Sequence, residues 1–215
     1  MHATQPARVA PAFGVVLLGA GASTRMGRPK LLLPWADTSI VGHLIRQWQA
    51  LDAGQIAIVI RPKDHELQAE LDRLGCPPRD RIENPQPERG MFSSILCAAN
   101  WDGWKPNLNA WVIVLGDQPH FRLETLRALL DVHLDHPDAI CQPAYGGRSR
   151  HPVLLPRSAF LDLRDSRAET FSEFLQQTAC ARIERAIDDP GLMLDMDRPE
   201  DYGRAVSLNL NLSVT

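Results

Sequence analysis

Cysteine is scarce in this chain: Cys76, Cys97, Cys141 and Cys180 are the four among 215 residues, widely separated and without a Cys-x-x-Cys pair. That spacing excludes a zinc ribbon and a compact disulfide framework, and leaves structural thiols of a reducing compartment. Long apolar runs are also missing. Nothing approaches the ~18 apolar residues of a membrane helix, and the segment before Phe13 has no extended apolar core of a signal peptide. The expectation is a cytoplasmic protein with no membrane partner. Excess charge is lacking as well, since 23 Lys and Arg against 26 Asp and Glu give a formal net charge of −3. A chain so balanced has no general attraction for nucleic acid, and its cations must act locally.

What is present fits one domain. With 44% hydrophobic residues and no internal repeat, the chain can bury a single substantial core. The expected limits are an N-terminal tail over 1–12, a domain over 13–206 and a C-terminal tail over 207–215. In that last stretch the Leu-Asn alternation could add an edge strand.

Residues Leu17 to Lys30 read LLGAGASTRMGRPK, an apolar run ending in a Gly-Ala-Gly turn with one Arg and one Lys close behind. Val15 to Leu18 read as a buried parallel strand. Gly19 and Gly21 are expected to turn the chain sharply and turn backbone N–H groups toward an anion, with Leu18 and Ala20 beside them. Arg25 and Lys30 then supply full positive charges, so the segment reads as a triphosphate site rather than an ordinary strand-to-helix turn. Two better-known phosphate loops fail on spacing. A P-loop needs Lys-Ser or Lys-Thr after its last glycine, but Gly27 is followed by Arg28, Pro29 and Lys30. A dinucleotide fingerprint needs Gly or Ala at Thr24 and an acid closing the second strand, but Ile56 to Ile60 ends in Arg61 and Pro62.

Apolar strands alternate with amphipathic segments. Phe13 to Leu18 is followed by a helix carrying Ile40, Leu44, Ile45, Trp48 and Leu51, capped by Asp37, Thr38 or Ser39. Gln55 to Ile60 is the next strand, and a helix marked by Leu67, Leu71 and Leu74 stops at Gly75. A short strand at Arg81 to Glu83, a helix over Ser93 to Trp101, and the strand Trp111 to Leu115 follow. A helix near Leu123 to Leu134, a strand near Ala139 to Ala144 and a turn at Gly146-Gly147 continue the series. The alternation predicts an α/β domain of three αβα layers with a mostly parallel sheet, its ligands bound beyond the carboxyl ends of the strands. Phe13 to Leu18 and Trp111 to Leu115 should lie close together.

Asp117 follows the apolar run Trp111 to Leu115, where a strand leaves the sheet. A lone carboxylate there can serve magnesium, which takes one or two carboxylates with waters and substrate phosphates; an Asx turn or helix cap is the plainer alternative. In the acidic stretch Asp195 to Asp201, Glu200 and Asp201 suit a helix N-terminus. Asp197 completes a magnesium shell only if the segment folds back over the crevice, which these residues leave open. His133 and His136 stand beside Asp131 and Asp135, which reads as a solvated helix face rather than a chelate. Ser23 and Ser94 lack the partners of a hydrolase triad.

These residues resemble the MobA-like nucleotidyltransferases, and among them the molybdenum cofactor cytidylyltransferases of the MocA type. The resemblance spans about Phe13 to Val206. It is carried by Leu18, Gly19, Ala20, Gly21, Ser23, Arg25, Met26, Gly27, Lys30, Leu31, Leu32 and Pro34, by Gly90 to Ser94, and by the LGDQP segment Leu115 to Pro119. Gly19 departs from the family's alanine, Arg150 from a glycine and Arg198 from a threonine. The resemblance implies a Rossmann-like nucleotidyltransferase fold that moves CMP from CTP to the terminal phosphate of the molybdopterin cofactor and releases pyrophosphate. It implies that Leu18 to Gly21, Arg25, Lys30, Gly90, Ser93 and Ser94 contact the nucleotide, and that Arg25, Lys30 and Asp117 are catalytic. Asp117 and Asp197 would hold Mg2+, while Arg148, His151 and Pro152 would face the acceptor. A molybdenum hydroxylase or its maturation chaperone is the downstream partner so implied. A GTP-using or sugar-phosphate transferase of the same fold is the near rival, and a non-catalytic cofactor carrier the distant one.

Overall fold

The structure is a computed structural model that describes residues 12–23 and 26–212. At its centre lies β1 (Phe13–Leu18), flanked in parallel by β4 (Gln55–Ile60) and β6 (Ala110–Leu115). Beyond β4 is β5 (Arg81–Glu83), also parallel. On the other side β6 meets β9 (Val153–Pro156) antiparallel, and β9 meets β7 (Ile140–Tyr145), which pairs with β10 (Arg182–Ala186) in parallel. β8 (Arg148–Ser149) folds back on β7 through the Gly146-Gly147 turn, giving an eight-stranded sheet among the described residues.

Side chains of the central strands alternate between two cores, as the pleat requires. Val15, Leu17, Ile58, Ile60, Val112 and Val114 point to one face, where α1 (Ile40–Gln49), α2 (His65–Arg73), α4 (Leu123–Asp135) and α7 (Pro199–Leu212) pack. Val16, Ala57, Val59, Trp111 and Ile113 point to the other, covered by α3 (Met91–Asn100), α5 (Arg157–Asp162) and α6 (Phe171–Gln177). The expected three-layer αβα arrangement with a mostly parallel sheet is therefore present. Each fully buried Leu or Ile contributes about 1.5–3 kcal/mol to holding the layers together. Ser39 is the α1 cap, its hydroxyl accepting from Gly42 N at 3.2 Å, and Gly75 ends α2 at φ +72°.

Four differences from the sequence expectation have physical reasons. β2 (Pro34–Trp35) and β3 (Thr38–Ser39) form a small separate hairpin, turned by Ala36 at φ 51°, which no glycine announces. β9 and β10 are short; β9 lies between Pro152 and Pro156, and β10 reads RIERA along the sheet edge with little apolar alternation. α7 runs Pro199–Leu212, across the limit expected at 206, in place of an edge strand. Pro at its first position, Glu200 and Asp201 in its first turn, and Asp201 Oδ2 accepting from Arg198 N at 2.9 Å start a helix that outweighs the Leu-Asn alternation. His133 is buried at 2% exposure instead of lying on a solvated face, and burial pushes its imidazole below the usual range. The tail expected over 1–12 falls outside the described residues except for Ala12. No helix among the described residues is long and apolar enough to cross a membrane.

Candidate functional site

The register of β1 on β6 sets Leu18 beside Leu115, so the chain leaves both strands at one point. Gly19 and Gly116 meet there. A Cβ on Gly116 would stand 2.7 Å from the Leu18 carbonyl and 2.8 Å from Leu31 Cδ2; one on Gly19 would stand 3.0 Å from the Val59 carbonyl and from Leu31 Cδ1. Leu31 thus packs over both glycines, and Gly19 N donates to Val59 O at 2.8 Å. The expected role of Gly19 and Gly21 as sharp turns needs correction. Among the described residues of this loop the left-handed conformation belongs to Ser23 (φ 50°) and Gly27 (φ 70°), while Gly19 is small because the Val59 carbonyl and the Leu31 side chain converge on it.

Seating Leu31 fixes its neighbour. Lys30 opens a 3-10 turn over Lys30–Leu32, and its backbone N–H donates to Ser23 Oγ at 3.1 Å. Its ammonium lies 3.4 Å from Asp117 Oδ2 and 2.8 Å from Asp197 Oδ1, so carboxylates 80 residues apart in the chain converge on one cation. Arg25, expected to share this charge, lies outside the described residues, as does Thr24. Burial pushes the Asp117 carboxyl above its usual range, the Lys30 charge opposes that, and the Asp195 carboxylate adds to it. A carboxylate in that position is short of positive charge. Two oxygen donors of this kind match what Mg2+ takes from protein when substrate phosphates complete its shell. No cluster of three or more His, Cys, Asp or Glu poised for a metal occurs among the described residues.

Asp197 comes back to the crevice because the loop between β6 and α4 holds the segment before it. Asp189, fully buried, accepts from Thr125 Oγ1 at 2.6 Å, Gly191 N at 2.9 Å and Arg122 N at 3.3 Å. His120 Nε2 lies 2.9 Å from the Gly191 carbonyl, which can only accept, so this nitrogen carries the proton. Gln118 Nε2 donates to Asp195 Oδ1 at 2.8 Å. At the other end, the Tyr202 hydroxyl donates to Pro34 O, tying α7 to the chain just beyond Lys30.

A cleft of about 290 Å3 opens beside the Lys30–Asp117 pair. Of the residues expected to hold nucleotide, Leu18, Gly19, Ala20, Gly21, Lys30, Gly90 and Ser94 line it together with Asp117. Ser93 does not; its hydroxyl donates to Gly90 O at 2.7 Å and accepts from Asn84 Nδ2 at 2.8 Å. Asn84, 1% exposed, also donates to Ser94 Oγ at 2.9 Å and so pins the α3 N-terminus to the end of β5. Gly90 precedes α3 at φ 87°, ψ −177°, a conformation only glycine adopts freely. Sequence reasoning missed Leu31, Pro87, Met91, Leu115 and Gly116 as lining residues, and Asn84 and Asp189 as supports. Gly116 had a signal in its place before Asp117; Asp189 had none.

The expected acceptor residues sit apart from this cleft, on the β8–β9 connection. Arg148 is exposed on β8, His151 is half-buried and Pro152 is buried. Because Val153 pairs with Ile113 antiparallel, this connection lies at the carboxyl end of β6, the end that carries Asp117. Burial holds the His151 imidazole down to about 4, although the Ile113 backbone and the Asp195 carboxylate favour its charged form.

Comparison with known proteins agrees with the fold. The chain is 22% identical to the Escherichia coli K12 molybdenum cofactor cytidylyltransferase over 196 residues, covering 89% of this chain and 94% of that protein. It is 30% identical over 125 residues to the bifunctional protein GlmU of Clavibacter sepedonicus, a match that spans 57% of this chain and only 25% of GlmU. Among solved structures, Rv0371c from Mycobacterium tuberculosis H37Rv superposes with a TM-score of 0.73 at 24% identity, covering 93% of this chain and 100% of that one, which bears on the fold. Residues 15–183 match the MobA-like NTP transferase domain. With most of the chain inside that match, the protein belongs to the MobA-like NTP transferase family.

Proposed function

We propose that this nucleotidyltransferase moves CMP from CTP to the terminal phosphate of molybdopterin and releases pyrophosphate. The observation that carries the reading is the convergence of Lys30, Asp117 and Asp197 at the edge of a cleft floored by small residues. In the reaction an acceptor phosphate oxygen bonds to the α-phosphorus of CTP as the bond to the bridging oxygen of pyrophosphate breaks. A phosphate monoester is ionised at neutral pH, so the nucleophile needs no strong general base. What remains is alignment and neutralisation of the leaving group. Lys30 supplies charge to the β- and γ-phosphates, with Arg25 as its expected companion. The Gly19 to Gly21 backbone, with Gly90 and Ser94 at the start of α3, holds the nucleotide. Asp117 and Asp197 would hold Mg2+, which when bound screens the phosphates and the leaving pyrophosphate. A divalent cation is supported by a relative, since Rv0371c has been solved in complex with manganese.

Choice of acceptor favours molybdopterin because the resemblance to the cytidylyltransferase runs through nearly the whole of both chains, whereas that to GlmU covers a quarter of GlmU. Arg148, His151 and Pro152 are assigned to the acceptor side. A hydroxylase or its chaperone would receive the product. The test is to incubate the protein and magnesium with each of the four ribonucleoside triphosphates, together with molybdopterin or a sugar phosphate. Pyrophosphate and a cytosine dinucleotide are expected from CTP with molybdopterin. Equal or better turnover with GTP overturns the base, turnover confined to the sugar phosphate overturns the acceptor, and no turnover with any pair favours a carrier.

A further inference from the structure

Several arginines of this molecule meet an acid, Arg61 with Asp64, Arg73 with Glu70, Arg81 with Asp72 and Arg204 with Asp201, and others, such as Arg157 and Arg164, donate to backbone carbonyls. Arg150 does neither. Its Nη2 lies 2.8 Å from Met193 Sδ, an uncharged and weak acceptor, and its Nε is buried with no hydrogen-bond partner. No carboxylate pairs with it among the described residues. A guanidinium offers five donors in a fixed fork suited to phosphate oxygens, and the exposed thioether on which this one rests is a weak partner that such an anion can displace.

Its backbone is held firmly while its head rests on a weak acceptor at the surface. Arg150 N donates to Pro143 O at 2.8 Å and Arg150 O accepts from Gln142 Nε2 at 3.4 Å, so β7 fixes the residue at its base. Its place is also specific. Arg150 immediately precedes His151 on the connection beside the carboxyl end of β6, and Met193, on which its head rests, lies four residues before Asp197. The side chain therefore bridges the acceptor connection to the segment that brings Asp197 to Lys30. His151 is a poor source of charge there, since burial keeps it neutral near pH 7.

We propose that Arg150 is an anion-binding residue of the acceptor side, whose guanidinium leaves Met193 to take the oxygens of a phosphate monoester. This rests on the nucleotidyl-transfer reading, in which the acceptor attacks through a phosphate. Arg150→Met keeps the length of the side chain without its charge, and Arg150→Lys returns the charge without the fork. The first measurement titrates inorganic phosphate into protein whose cleft is filled with magnesium and a non-hydrolysable CTP analogue. Phosphate affinity should fall about tenfold or more in Arg150→Met, the scale of a lost charge-assisted hydrogen bond, and recover in part in Arg150→Lys. Affinity for the CTP analogue should stay the same. The second measurement is steady-state kinetics, where KM for molybdopterin should rise by a similar factor and KM for CTP should not.

Unchanged phosphate binding in Arg150→Met overturns the inference. So does equal weakening of phosphate and analogue, because the effect would then belong to the whole crevice. Wild-type protein that binds phosphate through Arg150 but does not turn over CTP with molybdopterin sinks the proposed reaction and leaves this inference standing.

Discussion

Two regions at the carboxyl end of the sheet, the cleft and the β8–β9 connection, are built from different materials. On the side of β1 and α3 the wall is backbone and small residues, Gly19, Ala20, Gly21, Gly90 and Ser94, packed by Leu31 and pinned by Asn84. The β8–β9 connection, apart from the cleft but at the same end of the sheet, instead presents long side chains, Arg148 and Arg150, beside His151. A wall of backbone can grip only what every nucleoside triphosphate shares, its phosphates and its general outline. A wall of side chains can be exchanged residue by residue without disturbing the sheet, which suits it to choosing the acceptor. Lys30, Asp117 and Asp197 form the seam between the two, the place where the proposed reaction would bring its substrates together.

The largest effect should come from that seam. Asp117→Ala removes a carboxylate that burial makes costly to keep, so the fold should hold while turnover drops by about 100- to 1,000-fold, the scale of losing a main electrostatic stabiliser. Circular dichroism and a thermal midpoint beside initial rates test both halves of that statement. An unchanged rate would move the reaction away from the seam.

A second contrast is sensitivity to acid. His151, on the acceptor side, has its folded-state pKa near 4 against 6.5 for an ordinary histidine, because burial disfavours the imidazolium. The unfolded chain therefore takes up this proton first as pH falls. Stability from keeping His151 neutral is complete above about pH 6.5 and is lost on descending toward pH 4, by of order 2–3 kcal/mol. His43, His120 and His133 are held down by burial too and slope the same way, so the informative quantity is the difference between wild type and His151→Asn. The pH dependence of the thermal midpoint between 7 and 4 should be shallower in the variant. Identical slopes would mean that the ring is solvated.

The same division governs how much could be read from the sequence. β1, β4, β6 and the helices between them are long, apolar and regularly periodic, and their order alone brings Leu18 and Leu115 together. That order alone puts Lys30 and Asp117 at one end of one sheet. Asp197 was undecidable from its own neighbourhood. What returns it is Asp189 accepting from Thr125, 64 residues away, together with His120 on the Gly191 carbonyl, 71 residues away, contacts that leave no local pattern. β9 is hidden because four residues, three apolar ones closed by a proline, carry no periodicity. The Leu-Asn alternation misled in the opposite direction, since period two is a weak signal once a helix has already been started by Pro199 and its acids.

The smallest effects sharpen the backbone wall itself, and two glycines in it should behave oppositely. At Gly116 a methyl group would sit 2.7 Å from the Leu18 carbonyl, which cannot retreat without breaking the β1–β6 register. Gly116→Ala should therefore destabilise the fold by about 2 kcal/mol, the usual cost of overpacking against an unyielding neighbour, and lower the thermal midpoint by several degrees. At Gly21 a methyl group meets nothing within 4 Å. Gly21→Ala should leave stability within about 0.5 kcal/mol of wild type. Yet the residue lines the cleft, where a Cβ would stand between backbone and phosphate, so KM for CTP should rise about fivefold, equivalent to about 1 kcal/mol. If Gly21→Ala bound CTP normally while Gly116→Ala lost stability, the small residues of this wall would be serving the packing of the sheet and not the approach of the nucleotide, and the assignment of the Gly19 to Gly21 backbone to the phosphates would have to be given up.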